Sequence, residues 1–320
     1  MYRLLIAAIF LAGCAQEPAP TAPESGPAPV ETSSWRVDAI PAGDVDKTRA
    51  PGMRYPLQLG NTWKHRAHVT MITIPDEGDP TELEIIRVTK SEITGAALYY
   101  GRCYVLEERT ITEDVGDGEA YVQIVNYRQD REGLYEVADS SGGPVEGFSQ
   151  RTPDRFALEL SKQRQPEAWA QAFAATRARV EPLYAMRGGV LEGELTRLKY
   201  PLRPGQEWIV IEDPFDMSAT VERHVTLDLP TGRTSAWKVR IESSLYGPDD
   251  VVHFFYGRDG YLGWQVSVVG EVTDESGNRI GTVQFTDEEY LEDLSIDRRG
   301  ELPCEPMPAG GKTTGGVSSD

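Results

Sequence analysis

Residues 55–63 read YPLQLGNTW and residues 200–208 read YPLRPGQEW, so the pattern Tyr-Pro-Leu-x-x-Gly-x-x-Trp occurs twice, 145 positions apart. Proline fixes its own φ and favours an extended residue before it, while glycine permits a sharp turn. Strand-forming residues follow each copy. The motif therefore predicts a turn that leads into a β-strand, with its leucine and tryptophan anchored in the core.

Other features recur in the same order after each copy of the motif. A strand signal comes first, and a tyrosine followed by a charged turn and apolar residues comes next. We interpret this order as an internal duplication of a β-rich unit. The alternative is that two unrelated β segments use the same turn chemistry. The matching stretches are CYVLEE (103–108) with AWKVRIE (236–242), and NYRQDREGLYEV (126–137) with FYGRDGYLGWQV (255–266).

Strand signals dominate the remaining body of the chain. Asp117-Gly118 separates two β-rich runs within residues 107–127. Similar turn signals occur at Pro230-Thr231-Gly232 and at Ser276-Gly277-Asn278. These dipeptides supply the positive φ that tight turns need, so the sequence predicts three β-hairpins.

One segment has helical character. Pro166-Glu167 is typical of a helix start, because proline is tolerated in the first turn and glutamate complements the helix dipole. Trp169 and Phe173 fall on one face at a spacing of i, i+4, and Pro182 is expected to end the helix. The sequence predicts a helix over 166–181 that packs on a sheet through these aromatic residues.

The N-terminus, MYRLLIAAIFLAGC, places Arg3 before an apolar run from Leu4 to Leu11. Such a run spans about 12 Å as a helix, too short for a hydrocarbon core of about 30 Å, and it suits a secretory signal peptide. Leu11-Ala12-Gly13-Cys14 resembles the lipobox of bacterial lipoproteins. That resemblance implies cleavage before Cys14, a lipid on its sulfur and, because Ala15 rather than Asp follows, the outer membrane. The alternative is an ordinary signal peptide with a chance cysteine.

The repeated motif followed by strands also resembles bacterial envelope lipoproteins of no assigned activity, and this implies no catalytic residue. The predicted fold class is β-rich α+β, with two related antiparallel β halves and one intervening helical segment. The predicted domains are a signal peptide (1–13), a lipidated Cys14 with a Pro-rich disordered tether (14–52), β-rich half 1 (53–150), a helical connector (151–194), β-rich half 2 (195–302) and a disordered tail (303–320).

Charge excludes one class of partner. The chain has 32 basic and 51 acidic residues and a net charge of −19. An acidic surface repels phosphate backbones, so nucleic acid is not expected as a partner. The acidic residues are scattered rather than set at metal-ligand spacing, and we predict no metal and no cofactor.

Motifs that could carry chemistry all depart from a working pattern. ADSSGGPV (138–145) is similar to the nucleophile loop of trypsin-like proteases, but a second serine shifts the spacing. His65 and His68 are three positions apart in a predicted strand, which places them on opposite faces and prevents shared zinc binding. His224 and His253 are isolated, and DVGDGE (114–119) lacks the twelve-residue loop of an EF-hand.

Cys103 and Cys304 remain after lipidation of Cys14. An oxidising compartment permits a disulfide between them, and two separate thiols are the alternative.

The predicted function is an outer-membrane-anchored lipoprotein that acts as a non-catalytic binding or scaffold module of the cell envelope. Its expected partners are the membrane, through Cys14, and an envelope protein. A carrier of lipid or another hydrophobic ligand is the first alternative, and an envelope hydrolase is the second. Tyr256, Tyr261 and Trp264, around the turn at Arg258-Asp259-Gly260, could contact a partner, although core packing is the favoured role of each.

Overall fold

The structure of the protein is a computed structural model. Most of it consists of strands in which apolar and polar residues alternate. It describes residues 36–39, 54–99, 102–114, 120–137, 167–188, 194–212 and 216–304, all within one compact unit. These residues form thirteen strands in one antiparallel sheet, and one helix. The strands are β1 (Arg36–Ala39), β2 (Thr62–Pro75), β3 (Thr81–Tyr99), β4 (Arg102–Glu113), β5 (Tyr121–Gln129), β6 (Gly133–Val137), β7 (Glu194–Lys199), β8 (Glu207–Ile211), β9 (Met217–Leu229), β10 (Gly232–Ser243), β11 (Val251–Gly257), β12 (Gly260–Thr273) and β13 (Arg279–Ser295), and the helix is α1 (Glu167–Gly188).

The sheet is two runs of sequential neighbours joined by a long-range pair. Strands β2 to β7 are adjacent in chain order, as are β9 to β13, and β13 pairs with β2. Strand β8 pairs with β9, and the Trp208 Nε1–H of β8 donates to the Thr196 carbonyl of β7 at 3.0 Å. The sheet therefore nearly closes on itself, with one face turned inward.

Helix α1 packs on this sheet against β12, β13 and β5. Its buried face includes Trp169, Phe173 and Thr176. A side chain at Gly270 would collide with the Thr176 hydroxyl, and one at Gly281 would meet the Trp169 ring. The two glycines therefore provide the space in which the helix packs against the inward face of the sheet.

Both copies of the repeated motif adopt the predicted turn. Gly60 has φ 75° and Gly205 has φ 78°, a region that glycine adopts at no steric cost. A strand begins close after each turn, and the leucine and tryptophan anchors of both copies are buried, as predicted. These anchors are Leu57, Trp63, Leu202 and Trp208.

The hairpin predictions are confirmed by the pairing of β4 with β5, β9 with β10 and β12 with β13. The turn at Asp117-Gly118 lies outside the described residues. Helix α1 begins at Glu167 as predicted, but it continues through Pro182 to Gly188, so the expected end is wrong. The buried face also continues, because Val180 and Leu183 are fully buried, and this packing extends the helix past the proline.

The folded body extends beyond the predicted domain bounds at both its N-terminal and its C-terminal end. Strand β1 lies within the segment predicted as a tether, and it pairs with the part of β9 that β8 does not reach. Cys304, in the predicted tail, forms a disulfide with Cys103 at the start of β4. The body therefore includes residues on both sides of 53–302. The β-rich prediction is confirmed, while a single helix among the described elements makes α+β a loose description.

Candidate functional site

The inward face of the sheet carries charged side chains among apolar ones. Inward residues alternate along each strand, so Arg87 follows Ile85 on β3, and Asp287 and Glu289 follow Phe285 on β13. Strand β4 likewise turns Glu107 and Arg109 inward. Buried charges are tolerated only when they are paired and hydrogen-bonded, so the partners of these groups decide what the interior can do.

The first charged group joins strands β3, β12 and β13. Arg87 Nη2 donates to both oxygens of Asp287 at 2.9 and 3.1 Å, and to Glu289 Oε2 at 3.3 Å. The Trp264 indole N–H donates to Asp287 at 2.9 Å, and the Tyr261 hydroxyl donates to Glu289 at 3.0 Å. The two carboxylates therefore share one guanidinium, and each also accepts a hydrogen bond from a neutral side chain.

The second charged group lies on β4 to β7. Arg109 Nε donates to Glu107 at 2.6 Å, and its Nη2 donates to the Tyr127 hydroxyl at 2.6 Å. Arg197 of β7 donates to Glu136 of β6. Burial alone would lower the pKa of each arginine, but Glu107 beside Arg109 and Glu136 beside Arg197 raise both pKa values above the ordinary value. Both guanidinium groups therefore stay charged.

A small cavity lies between these arginines and a group of tyrosines. Its volume is about 20 Å³, room for about one water molecule, and its lining includes Tyr55, Tyr127 and Tyr256. Burial raises the pKa values of Tyr55 and Tyr127 well above the ordinary value. Their phenols are therefore neutral near pH 7, so these tyrosines and the charged arginines can donate hydrogen bonds but are not poised to exchange protons.

Some inward polar atoms have no hydrogen-bond partner within the described ranges. They are both amide atoms of Gln123, Glu107 Oε2 and Glu136 Oε1. Buried polar atoms of this kind are commonly satisfied by ordered water. We therefore expect the interior of the sheet to hold a few bound water molecules.

The outer face carries a larger concavity. A groove of about 390 Å³ crosses β13, β2, β3 and β4. Its lining is mainly hydroxyl and charged side chains, among them Thr62, Lys64, Lys90, Glu92 and Glu108. The volume suits a small ligand, but binding sites for hydrophobic molecules are lined predominantly by apolar side chains. The groove is therefore suited to a polar ligand.

The aromatic residues proposed as partner contacts are buried. Tyr256, Tyr261 and Trp264 are 5%, 9% and 0% exposed, so they are core residues and do not form an exposed contact. The physical reason is that β11 and β12 turn these rings toward the interior. There the ring centroid of Phe254 is 5.5 to 6.3 Å from the centroids of all three. Core packing, the role favoured from the sequence, is confirmed, and the partner contact at these residues is wrong.

The histidines do not come together. His65 Nε2 lies 3.2 Å from the Tyr261 carbonyl on the inward face, whereas His68 Nδ1 lies 2.6 Å from Glu84 Oε1, so the two imidazoles occupy opposite faces as predicted. His224 packs on Trp237, and His253 lies 3.4 Å from Glu222. No group of three or more metal-binding side chains occurs among the residues that the structure describes.

Several predicted sites lie outside the described residues. These are the lipobox with Cys14, the loop 138–145 and residues 115–119 of the DVGDGE turn. No helix within the described ranges is long and apolar enough to span a membrane.

Sequence reasoning missed the interior charges. A signal for them was present, because Asp287 and Glu289 continue the alternation of Val283 and Phe285. The same holds for Arg87, two residues after Ile85. An alternating pattern leaves open whether a charged residue ends the apolar face or belongs to it, and only the cross-strand partners decide between the two.

Comparisons with known proteins name no family. No protein-family profile and no curated protein matches the chain. A proposed exported protein with a YmcC-like fold from Bacteroides fragilis NCTC 9343 is 11% identical, covers 76% of this chain and 99% of its own, and has a TM-score of 0.32. A proposed lipoprotein from Parabacteroides distasonis ATCC 8503 is 9% identical. It covers 75% of this chain and 97% of its own, with a TM-score of 0.32. Likenesses at this level carry no argument about function, so the proposals below rest on the residues of this chain.

Proposed function

We propose that the protein is a lipid-anchored, non-catalytic binding or scaffold module of the cell envelope, held at the outer membrane. The observation that carries the proposal is the filled interior. Among the described residues, its charges are paired with one another, and the cavity at Tyr55, Tyr127 and Arg109 has room for about one water molecule. Another molecule would therefore bind on the outer face, and the lipobox at Leu11-Ala12-Gly13-Cys14 would hold that face near a membrane.

The chemistry of the interior supports a non-catalytic role. General acid–base catalysis works best when a group has a pKa near the working pH. In the cavity at Tyr55, Tyr127 and Arg109, the pKa values are raised away from neutrality. The carrier alternative receives no support from the two cavities, since one is water-sized and the other is lined mainly by polar side chains.

The full-length lipidated chain with a C-terminal affinity tag tests the proposal. The tagged protein would be crosslinked in intact cells, extracted in mild detergent and analysed by native mass spectrometry and peptide sequencing. We expect a specific envelope protein to co-purify. The matched control is the Cys14→Ser variant, which should lose that partner if anchoring brings the two together.

Two outcomes would overturn the proposed function. One is a lipid, bound in fixed stoichiometry to protein that has been exchanged into a lipid-free detergent, which would identify a carrier. The other is turnover of a peptide, ester or glycan by the purified chain, which would identify an enzyme.

We also infer an internal duplication, with six strands from β2 to β7 and six from β8 to β13. The two motifs contact the opposite units. The first motif packs on the β11–β12 turn, because Tyr55 and Pro56 lie against Gly260 and the Trp63 indole donates to the Asp259 carbonyl at 2.8 Å. The second packs on the β5–β6 turn, because the Tyr200 N–H donates to the Glu132 carbonyl at 2.7 Å. These reciprocal contacts support a boundary between the two repeated units after β7 rather than at residue 195.

A further inference from the structure

Like charges face one another across strands in the outer groove. Lys64 of β2 is directly opposite Lys90 of β3, and Glu92 of β3 is directly opposite Glu108 of β4. Cross-strand pairs of like charge destabilise a sheet, and pairs of opposite charge stabilise it. Exchanging the charges at Lys90 and Glu108 would convert both pairs to favourable ones at the same net charge.

The surrounding residues relieve this repulsion only in part. Lys64 forms an ion pair with Glu292 at 2.8 Å. Lys90, Glu92 and Glu108 are exposed, and within the described ranges none of them has an ion-pair partner inside 4 Å. The groove thus holds a positive pole, of which Lys64 is paired with Glu292, and a negative pole whose two carboxylates have no ion-pair partner among the described residues. Local arrangements that oppose stability are expected at functional sites.

The spacing of the two poles defines the ligand. Lys90 and Glu92 are two residues apart on one strand, so their Cα atoms lie about 7 Å apart. An extended dipeptide spans about the same length, whereas a single amino acid is about half as long. Hydroxyl side chains at Thr62 and Thr110 complete a polar lining that can exchange hydrogen bonds with a peptide group.

We propose that this groove binds a short zwitterionic peptide, with its carboxylate at Lys64 and Lys90 and its ammonium at Glu92 and Glu108. The next strand offers Val122 and Ile124, 55% and 52% exposed and opposite Thr110 and Glu108, as apolar contacts for a side chain near the ammonium end. The inference deepens the proposed function and rests on it, because it names a ligand class for the outer face.

Saturation-transfer NMR with the lipidated full-length chain in nanodiscs tests the inference with dialanine as the probe. Dialanine should give saturable transfer. N-acetyl-dialanine, dialanine amide and free alanine should each bind at least about fivefold more weakly, because each lacks one charge or the required length. Equal binding of the blocked peptides, or no saturable transfer from dialanine, would overturn the inference.

Variants separate this binding from a general effect on folding. The charge exchange Lys90→Glu with Glu108→Lys should raise the melting temperature and abolish dialanine binding. Lys90→Gln should weaken binding about fivefold, while Glu271→Gln, an exposed change on β12, should leave it unchanged. Retained binding in the charge-exchanged protein would overturn the inference. If the wild-type chain does not bind dialanine but still co-purifies with an envelope partner, only the ligand class is wrong and the proposed function stands.

Discussion

Arg87 shows how a buried charge can be both costly and necessary. Burying two ions costs several kcal/mol, and a buried ion pair therefore contributes little to stability beyond an apolar replacement. Removing only one partner has a different effect, because the remaining charge stays in the interior without compensation. Here the partners left behind would be two carboxylates, Asp287 and Glu289, both fully buried.

We expect Arg87→Ala to lower the free energy of unfolding by about 3–5 kcal/mol, measured by urea denaturation. Arg66→Ala is the matched control, since Arg66 also pairs with a carboxylate, Glu292 at 2.9 Å, but is partly exposed. Exposed pairs contribute about 1 kcal/mol or less. Equal losses in the two variants would contradict the importance assigned to the buried group.

His253 predicts a pH dependence on the acidic side. Burial, with help from Lys238 and against the opposing effect of Glu222, lowers the pKa of His253 to about 4. In the unfolded chain its pKa is about 6.5, so between these values the unfolded state binds a proton that the folded state does not. The contribution of His253 to the free energy of unfolding is therefore fully present above pH 6.5, and it is lost as the pH falls toward 4.

The His253→Gln variant should have a flatter stability profile between pH 6.5 and pH 4. The gap between the two profiles should change by up to about 3 kcal/mol over this range, since one pKa unit corresponds to about 1.4 kcal/mol. Denaturation at several pH values measures it. Parallel profiles would show that His253 takes up its proton normally in the folded protein.

At the scale of single residues, the sequence predicted roles that depend on local pattern. The anchors Leu57 and Trp63, and the opposite faces of His65 and His68, follow from turn chemistry and from the two-residue period of a strand. The partners of Arg87 do not, because Asp287 lies 200 positions away and is brought near only by the pairing of β13 with β2 and of β2 with β3.

At the scale of elements, helix α1 depends on a small residue in the neighbouring strand. A methyl group at Gly270 would overlap the Thr176 hydroxyl, so the helix or the strand must shift. We expect Gly270→Ala to cost about 1–3 kcal/mol of unfolding free energy, as overpacked cores do. Adding Thr176→Ala should recover part of the loss in a double-mutant cycle measured by urea denaturation.

Gly95→Ala serves as the control for the loss of a glycine from a strand. A methyl group at Gly95 would meet only the Leu106 side chain, at 3.9 Å, so we expect little change in stability. Additive costs in the Gly270 and Thr176 cycle would contradict the proposed contact.

The elements themselves were largely readable from the sequence, and their arrangement was not. Turn dipeptides gave three hairpins because a hairpin is a local structure. The helix position depended on the space left by Gly270 and Gly281, which no pattern within the helix contains. The helix end was misjudged at Pro182 because burial of Leu183 outweighed a local breaking signal.

At the scale of the whole molecule, each tryptophan of the repeated motif joins its own strand to another part of the sheet. Trp63 hydrogen-bonds to a residue 196 positions away, and Trp208 links β8 to β7. If the chain is duplicated as we propose, the two tryptophans have equivalent roles. Trp63→Ala and Trp208→Ala should then each cost about 3–5 kcal/mol of unfolding free energy, measured by urea denaturation.

Ile209 is the neighbouring control for these variants. It is 54% exposed on the same strand as Trp208, so Ile209→Ala should change stability by about 0.5 kcal/mol or less. A large cost at only one tryptophan would contradict equivalent roles and would favour independent use of the same turn.

The last prediction concerns where the whole molecule resides. A single acyl chain binds a membrane only marginally, and two chains suffice for stable anchoring, at about 0.8 kcal/mol per buried methylene. A lipidated Cys14 would therefore hold the body at the membrane by itself. Cys14→Ser should lose incorporation of labelled fatty acid and release the protein into the soluble fraction, while Cys304→Ser should keep both. Ala15→Asp should move the anchored protein from outer-membrane to inner-membrane fractions. A Cys14→Ser protein that stays in the membrane fraction would show that another segment provides the attachment, and the anchored part of the proposed function would then be wrong.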